Sequence, residues 1–328
     1  MNPMKRTALQ SSDETPLRIG ISSCLVGENV RYDGGHKLDA VLAGTLGPFV
    51  DFIPVCPEVG CGLPVPREAM RLVGDPENPR LVTIDTTIDL TPQMEKFCRA
   101  ATSKLKQADL SGFIFKKNSP SSGLNRVKIY NTKGGLAGTG RGLFARTIID
   151  TFPLLPVDEA ESLHDPGTRE NFIERMFAYR RWQDFLRQDF SLGRLVEFHT
   201  EHKLLMLAHS TEIYRALGRL VAAGGEIDQE ELIKIYGKLY MDGMARIATS
   251  RKNYNALQHM AGYFRKLADE EEQREILETL EDYQKRRTPL IVPITLLRHY
   301  ARKYGVTYLQ RQVYLSPTPL EAMLRNHS

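Results

Sequence analysis

Three apolar runs in the first half of the chain, residues 18–22, 50–55 and 113–115, each give way abruptly to small and polar residues. Runs with little polar alternation mark strands buried on both faces, as in a parallel sheet covered by helices. Helical patterns at 94–105 and 143–150 complete the picture. The pattern predicts an α/β domain, three-layered and Rossmann-like. In open sheets of that kind ligands bind just outside the carboxyl ends of the strands. The residues that follow the three runs are therefore the candidates for a site.

Those residues are rich in chemistry. Ser22-Ser23-Cys24-Leu25-Val26-Gly27 follows the first run, with Arg31-Tyr32-Asp33-Gly34 close behind. Cys56-Pro57-Glu58 follows the second, and Lys116-Lys117-Asn118-Ser119-Pro120-Ser121-Ser122-Gly123 the third. Together they offer thiols, one carboxylate and a hydroxyl-rich turn to a common point.

The chain has 328 residues, 41% hydrophobic and 26% charged, an ordinary globular composition of a length that suits two domains. Four cysteines and no signal-like start predict a cytoplasmic protein without a disulfide framework. No apolar run approaches the eighteen or so residues needed to span a membrane. Residues 1–16 are polar and irregular and read as a disordered tail. The oligomeric state is not legible.

The three motifs, in this order, resemble the TudS family of thiouracil desulfidases. That family's signature is roughly S-x-C-L-x-G with R-Y-D-G, then C-P-E with G-L-P-x-P-R, then K-x-x-S-P-S-C-G. The middle motif here runs Cys56-Pro57-Glu58-Val59-Gly60-Cys61-Gly62-Leu63-Pro64-Val65-Pro66-Arg67. The resemblance implies a desulfidase domain over 17–160 and a [4Fe-4S] cluster held by three cysteines. One iron of such a cluster is left open to take the sulfur of a thiocarbonyl, as a catalytic metal site requires. It assigns Cys24 and Cys56 as ligands and Glu58 as the catalytic acid, since replacing sulfur by water needs a positioned proton donor. Ser119 and Ser121 join Glu58 as catalytic candidates.

One position departs from that pattern, because Ser122 stands where the family has its third cysteine. Three readings stay open. The Ser122 oxygen binds iron more weakly than a thiolate, its proton being held far more tightly. Alternatively Cys61 supplies the third thiolate. In the last reading the cluster has been lost with its chemistry.

Other residues divide between structure and function. Cys98 sits inside a helical pattern and reads as a small buried hydrophobe, a reading open to Cys61 as well. Arg31 and Asp33 either position a substrate or brace a turn. Arg67 suits an anionic substrate group, its planar donors matching phosphate, and Lys116 joins these as a substrate-binding candidate. The glycine-rich stretch 133–146 is either a phosphate cradle or a plain turn, and it lacks the Gly-Lys-Ser/Thr of a P-loop.

Past 153–166 the pattern turns helical: 168–188, 192–223, 228–248, 252–268, 269–287 and 294–304. Residues 161–194 read as a helical linker and 195–326 as a helical domain. Asp228 with Glu231 reads as a capping box. This half resembles the YbgA-type domain through Phe198-His199-Thr200-Glu201-His202-Lys203, through 255–264, and through 289–293 with Leu296-Leu297-Arg298-His299-Tyr300. The fusion resembles the desulfidases that act on 4-thiouridine in tRNA, which implies that the helical half holds RNA.

The residues speak to that independently. Net charge is only +4, but 283–320 contains no Asp or Glu. It carries Lys285, Arg286, Arg287, Arg298, Arg302, Lys303 and Arg311, interleaved with Tyr283, Tyr300, Tyr304, Tyr308 and Tyr314. Cations beside aromatics serve phosphate neutralisation and base stacking; equally, the tyrosines could pack a bundle with a charged rim. His199, His202, His209 and His259 raise a second metal site, though structural or RNA-contacting roles are the simpler reading. The combined expectation is an iron-sulfur desulfidase acting on thiolated uracil, with tRNA or a thiolated pyrimidine as its partner. Its rival is a catalytically silent RNA-binding protein.

Overall fold

The structure is a computed structural model that describes residues 16–318 together with 320, 321 and 323. The expected tail, Pro16 apart, lies outside the described residues, as do 324–326 of the expected helical domain. The chain divides into two compact units, the first ending at Tyr179 and the second beginning at Arg180.

The first unit runs β1 (Leu17–Ser22), α1 (Ala40–Thr45), β2 (Val50–Val55), α2 (Pro57–Gly60), β3 (Met70–Asp75), β4 (Asn78–Thr83), α3 (Thr91–Gln107), β5 (Leu110–Phe115), β6 (Val127–Tyr130), β7 (Leu136–Gly140), α4 (Leu143–Thr151) and β8 (Val157–Glu159). The three apolar runs are β1, β2 and β5. With β8 they form one all-parallel sheet in the order β2-β1-β5-β8. The chain leaves β1 for β2 on one side and returns to β5 on the other. The order thus reverses between β1 and β5, which is where a crevice opens beyond the strand ends.

Every residue of β5 is buried, and its two faces carry different helices. Phe113 and Phe115 stack at 4.4 Å and meet Phe144 of α4 on one face. On the other, Gly112 lies against Phe172 and Met176 of α5 (Pro166–Leu186). Helices on both faces give the three layers that the apolar runs predict. A second, mixed sheet in the order β4-β3-β6-β7 has no counterpart in the sequence reading.

The second unit contains α6 (Leu192–His209), α7 (Thr211–Ala222), α8 (Gln229–Met244), α9 (Ser250–Ala261), α10 (Glu270–Gln284), α11 (Ile291–Lys303) and α12 (Thr307–Gln310), with no strand among the described residues. Its core is aromatic: the Trp182 ring stacks on Phe185 at 5.2 Å and on Tyr236 at 5.3 Å. The helix expected over 192–223 is two helices, because Ser210 is extended. Its amide donates to Met206 O, closing α6, and its hydroxyl accepts from the Ile213 amide at 3.3 Å, opening α7. A serine that competes with the helix for backbone partners favours such a break. Asp228 caps α8 by accepting from the amides of Glu230 and Glu231, while the reciprocal capping box forms at Asp269 and Glu272 of α10.

Most of the stretch read as a helical linker is α5. Its residues Phe172, Ile173 and Met176 are fully buried in the first core, and Trp182 is buried in the second. No helix of the described residues is long and apolar enough to cross a membrane.

Candidate active site at the strand ends

A cavity of about 350 Å³ opens at the carboxyl ends of β1, β2 and β5. Cys24 lies in the turn of 3-10 helix that follows β1. Cys56 is the first residue beyond β2 and caps α2, whose first turn carries Glu58. The serine turn follows β5. The Ser22 hydroxyl accepts from the Lys116 amide at 3.0 Å and so ties the ends of β1 and β5 together.

The serine turn is built by its own side chains and by a glycine behind it. The Ser119 hydroxyl accepts from the Ser122 amide at 3.1 Å, and Ser119 O accepts from the Gly123 amide at 2.7 Å. A Cβ on Gly142 would come within 2.5 Å of the Ser121 carbonyl, so only glycine lets this segment close on the turn. The Gly142 amide donates to Gly123 O and that of Phe144 to Ser121 O, each at 2.8 Å. These amides of the glycine-rich stretch hold the serine turn and not an anion, which corrects the cradle reading. Buried Glu159, which the sequence did not single out, accepts from the amides of Leu124 and Asn125 at 3.1 Å and anchors the exit of the turn.

Glu58 is fixed from both sides. Its Oε1 accepts from the Ser121 hydroxyl at 2.8 Å, and Ser121 is 2.9 Å from the Ser119 hydroxyl. Its Oε2 is held by Arg67 through Nε at 3.0 Å and through Nη2. Arg67 also donates to Pro64 O at 3.2 Å and Val30 O at 2.8 Å. Each nitrogen of Arg67 is thus engaged, and its side chain, only 4% exposed, lines the cavity already paired with Glu58.

The other expected substrate-binding charges are likewise paired. Lys116 meets Glu161, and Arg31 reaches Asp33 at 3.0 Å. Asp33 also accepts from the Gly35 amide at 3.1 Å, so this pair is a turn brace at the cavity rim.

Burial pushes the Cys24 thiol up to about 11, with the neighbouring Cys56 adding to the effect and Lys116 opposing it. Burial also raises Cys56. A bound metal overcomes such shifts, because a coordinating thiol loses its proton outright. Ser122 lines the same cavity, 4% exposed, and its hydroxyl makes no hydrogen bond among the described residues. Two thiols and one uncommitted hydroxyl thus share one cavity. By lining one cavity, Cys24, Cys56 and Ser122 are the side chains that would hold a cluster. In chemistry two of the three donors are the thiolates that iron-sulfur clusters take.

Cys61 is not part of this set. Its thiol donates to Glu58 O at 3.2 Å, and it lines a separate cavity with Phe97 and Ala101 of α3. No three His, Cys, Asp or Glu side chains among the described residues are grouped to hold a metal ion. Cys98, 2% exposed, is a buried residue of α3.

In the second unit the acid-free stretch proves acid-lined in space. Acids of α10 reach its cations: Glu281 meets Lys285 at 2.9 Å, Asp282 meets Arg287 at 3.2 Å, and Glu272 meets Lys303. Arg311 pairs with Glu201 at 2.8 Å. Arg286, Arg298 and Arg302 make no ion pair among the described residues. The tyrosines are mostly packed, with Tyr283, Tyr300 and Tyr314 buried and Tyr304 donating to Glu272. Tyr308 stacks on the exposed Tyr263 at 5.2 Å, with the Lys203 ammonium 4.9 Å from its ring. Two of the histidines serve the backbone, Nδ1 of His202 donating to Phe198 O and that of His209 to Arg246 O, each at 2.7 Å, while His199 Nδ1 lies 3.3 Å from the Tyr236 hydroxyl.

Residues 19–160 match the model of a family described as 2-thiouracil desulfurase. Residues 203–319 match a second family, DUF1722, described as a protein of unknown function. The uncharacterized protein YbgA of Escherichia coli (strain K12) is 30% identical over 161 residues, which are 48% of this chain and 94% of that relative. The chain belongs to the YbgA family. A 2-thiouracil desulfurase domain precedes the part that matches DUF1722. Among solved structures, the [4Fe-4S]-dependent thiouracil desulfidase TudS is 28% identical, covering 45% of this chain and 94% of that one, with a TM-score of 0.36.

Proposed function

We propose that this chain is an iron-sulfur desulfidase that converts thiolated uracil to uracil with release of sulfide, and that its substrate is 4-thiouridine in tRNA. The observation that carries the reading is the convergence of Glu58, locked between Arg67 and Ser121, on the cavity lined by Cys24, Cys56 and Ser122. A [4Fe-4S] cluster held there by Cys24, Cys56 and the Ser122 oxygen would supply an open iron as a soft acceptor for sulfur.

The rest of the chemistry belongs to side chains. Glu58 moves the protons needed when water replaces sulfur at the ring carbon, and Arg67 keeps its carboxylate aimed while it does so. Ser121 and Ser119 extend that hydrogen-bonded chain to the turn carrying Ser122. Reduced thiols and the absence of any expected disulfide suit a cytoplasmic setting. Arg286, Arg298 and Arg302, which make no ion pair among the described residues, are cations of the otherwise acid-paired 283–320 stretch open to an RNA backbone.

The hydroxyl of Ser122 favours a second reading, a catalytically silent RNA-binding protein whose cluster site has lost its third thiolate. Anaerobic purification followed by assay with 4-thiouracil and thiolated tRNA separates the two. A brown protein that releases sulfide supports the desulfidase. A colourless protein that binds tRNA but releases none supports the silent form.

A further inference from the structure

A second cavity, of about 640 Å³, lies apart from the strand-end site, between β2 and α3. Among the described residues β2 pairs with β1 alone, so its side chains stand at the border of the sheet. Ile53 and Val55 line one wall of the cavity. The other wall is a stripe of α3 at helical spacing, in which Phe97, Ala101 and Leu105 succeed one another every fourth residue. A Cβ on Gly60 would come within 2.2 Å of the Phe97 ring, so only glycine lets the end of α2 meet α3 there. Val55 lines both cavities, but no cysteine is common to them: Cys24 and Cys56 line the first and Cys61 the second.

The charges at this second cavity are of one sign. No Asp or Glu lines it, and Lys96 and Lys104, both exposed, make no ion pair among the described residues. The neighbouring acid on α3, Glu95, pairs with Arg99 at 3.7 Å. The lining residues of α3 run from 93 to 105, about 18 Å of helix, and Lys96 and Lys104 lie about 12 Å apart along it. The volume is within the range of ligand sites, roughly 300 to 1,000 Å³. An elongated apolar space with ammonium groups on its rim matches a molecule that is apolar along its length and anionic at one end. Such a molecule leaves the hydration of its head group intact while its chain is taken out of water.

We infer that the cavity between β2 and α3 is a binding site for an unbranched aliphatic carboxylate, its chain lying on Phe97, Ala101 and Leu105 and its head group met at the rim by Lys96 or Lys104. The site is independent of the proposed chemistry at the strand ends.

Cys61 reports on it in the full chain. Hexanoate, octanoate and decanoate are titrated against alkylation by iodoacetamide, run above neutral pH because burial raises the Cys61 thiol, and the modified cysteines are read by peptide mass. Each carboxylate protects Cys61, and the concentration needed falls about fourfold for every added methylene. Decanol protects less well than decanoate by about two- to fivefold, the measure of one exposed charge contact. Lys96→Ala or Lys104→Ala removes that advantage and so shows which ammonium is used; either result sustains the inference. Ala100→Trp, an exposed lining position, fills the cavity and abolishes protection. Cys61 unprotected at every chain length, protection independent of chain length, or a decanoate advantage that survives in the double lysine variant overturns the inference. Protection of Cys24 or Cys56 in place of Cys61 assigns the chain to the other cavity and overturns it too. So does a Cys61 that is shielded without ligand and becomes reactive only on dilution, since a second copy of the protein then covers the groove.

Discussion

Arg67 closes on the carboxylate of Glu58 across nine residues of chain, and the pair is nearly sealed from solvent, with side chains 4% and 14% exposed. The arginine spends its remaining donors on Val30 O and Pro64 O, which fastens the loop after β1 to the segment after α2. One side chain thus sets the aim of the proposed acid and the wall of its cavity.

Breaking that pair carries both costs. Arg67→Ala is expected to destabilise the fold by roughly 1–3 kcal/mol, since it leaves a half-buried carboxylate with only the Ser121 hydroxyl as partner. Arg67→Lys keeps the charge but not the two-pronged grip, so it folds while sulfide release falls by an order of magnitude or more. Urea unfolding and a sulfide assay on the two variants check these outcomes. Full activity in Arg67→Lys would mean that the orientation of Glu58 is set elsewhere.

The cysteines separate by cavity. Cys24→Ala or Cys56→Ala is expected to abolish bound iron, because each removes one of the two thiols at the site. Cys61→Ala is expected to leave iron at the unmutated level, as its thiol faces α3. Iron analysis after anaerobic purification decides, and equal losses in all three variants would contradict the assignment.

Ser122→Cys supplies a softer, more acidic donor at a position that is already buried and uncommitted. Iron per chain and sulfide release are expected to rise together. A variant that gains iron without activity would break the link between cluster and turnover.

Two of the helical unit's free cations sit on α11. Arg298→Ala with Arg302→Ala is expected to weaken tRNA binding and to reduce the slope of log affinity against log salt by about 0.7–0.9 per lost phosphate contact. Lys303→Ala is expected to do less, because Glu272 already neutralises that ammonium. Affinities measured across a salt series check both.

His202 ties stability to pH. Burial lowers its pKa from 6.5 to about 3, with Arg181 adding to the effect. In the unfolded chain the imidazole takes up a proton as pH falls through 6.5, whereas the buried ring declines it until about 3. Stability is therefore full above that window and is lost as pH falls through it, at ~1.4 kcal/mol per pH unit for one such histidine. His199, lowered to about 4 by burial, steepens the same trend. His202→Gln is expected to flatten the curve of unfolding midpoint against pH in this range, and an unchanged slope would place the lost protons on other groups.

The parallel sheet was legible because its strands carry apolar runs, complete in the fully buried β5 and interrupted by one charged residue each in β1 and the edge strand β2. The second sheet was not, because strands such as Asn78–Thr83 and Leu136–Gly140 keep exposed polar or small residues and so leave no continuous apolar run. At the site, motif spacing brought Cys24, Cys56, Glu58 and the serines to one cavity. It could not reveal which charges are already paired, since Arg67 with Glu58 and Lys116 with Glu161 are neighbours in space alone. The same limit hid the acids of α10 from a stretch that contains none of its own. Ser210 shows the local version: a single residue capped two helices inside a pattern that read as one.

The most direct test compares the unmutated chain with Glu58→Gln, both purified without oxygen and both analysed for iron before assay. The substitution keeps the shape of the side chain and removes its ability to exchange a proton. The account predicts equal iron in the two proteins, sulfide released from thiolated uracil by the unmutated chain, and a loss of at least about a hundredfold in the variant, the lower end of what a general acid contributes. Equal sulfide release by both proteins at equal iron would contradict it.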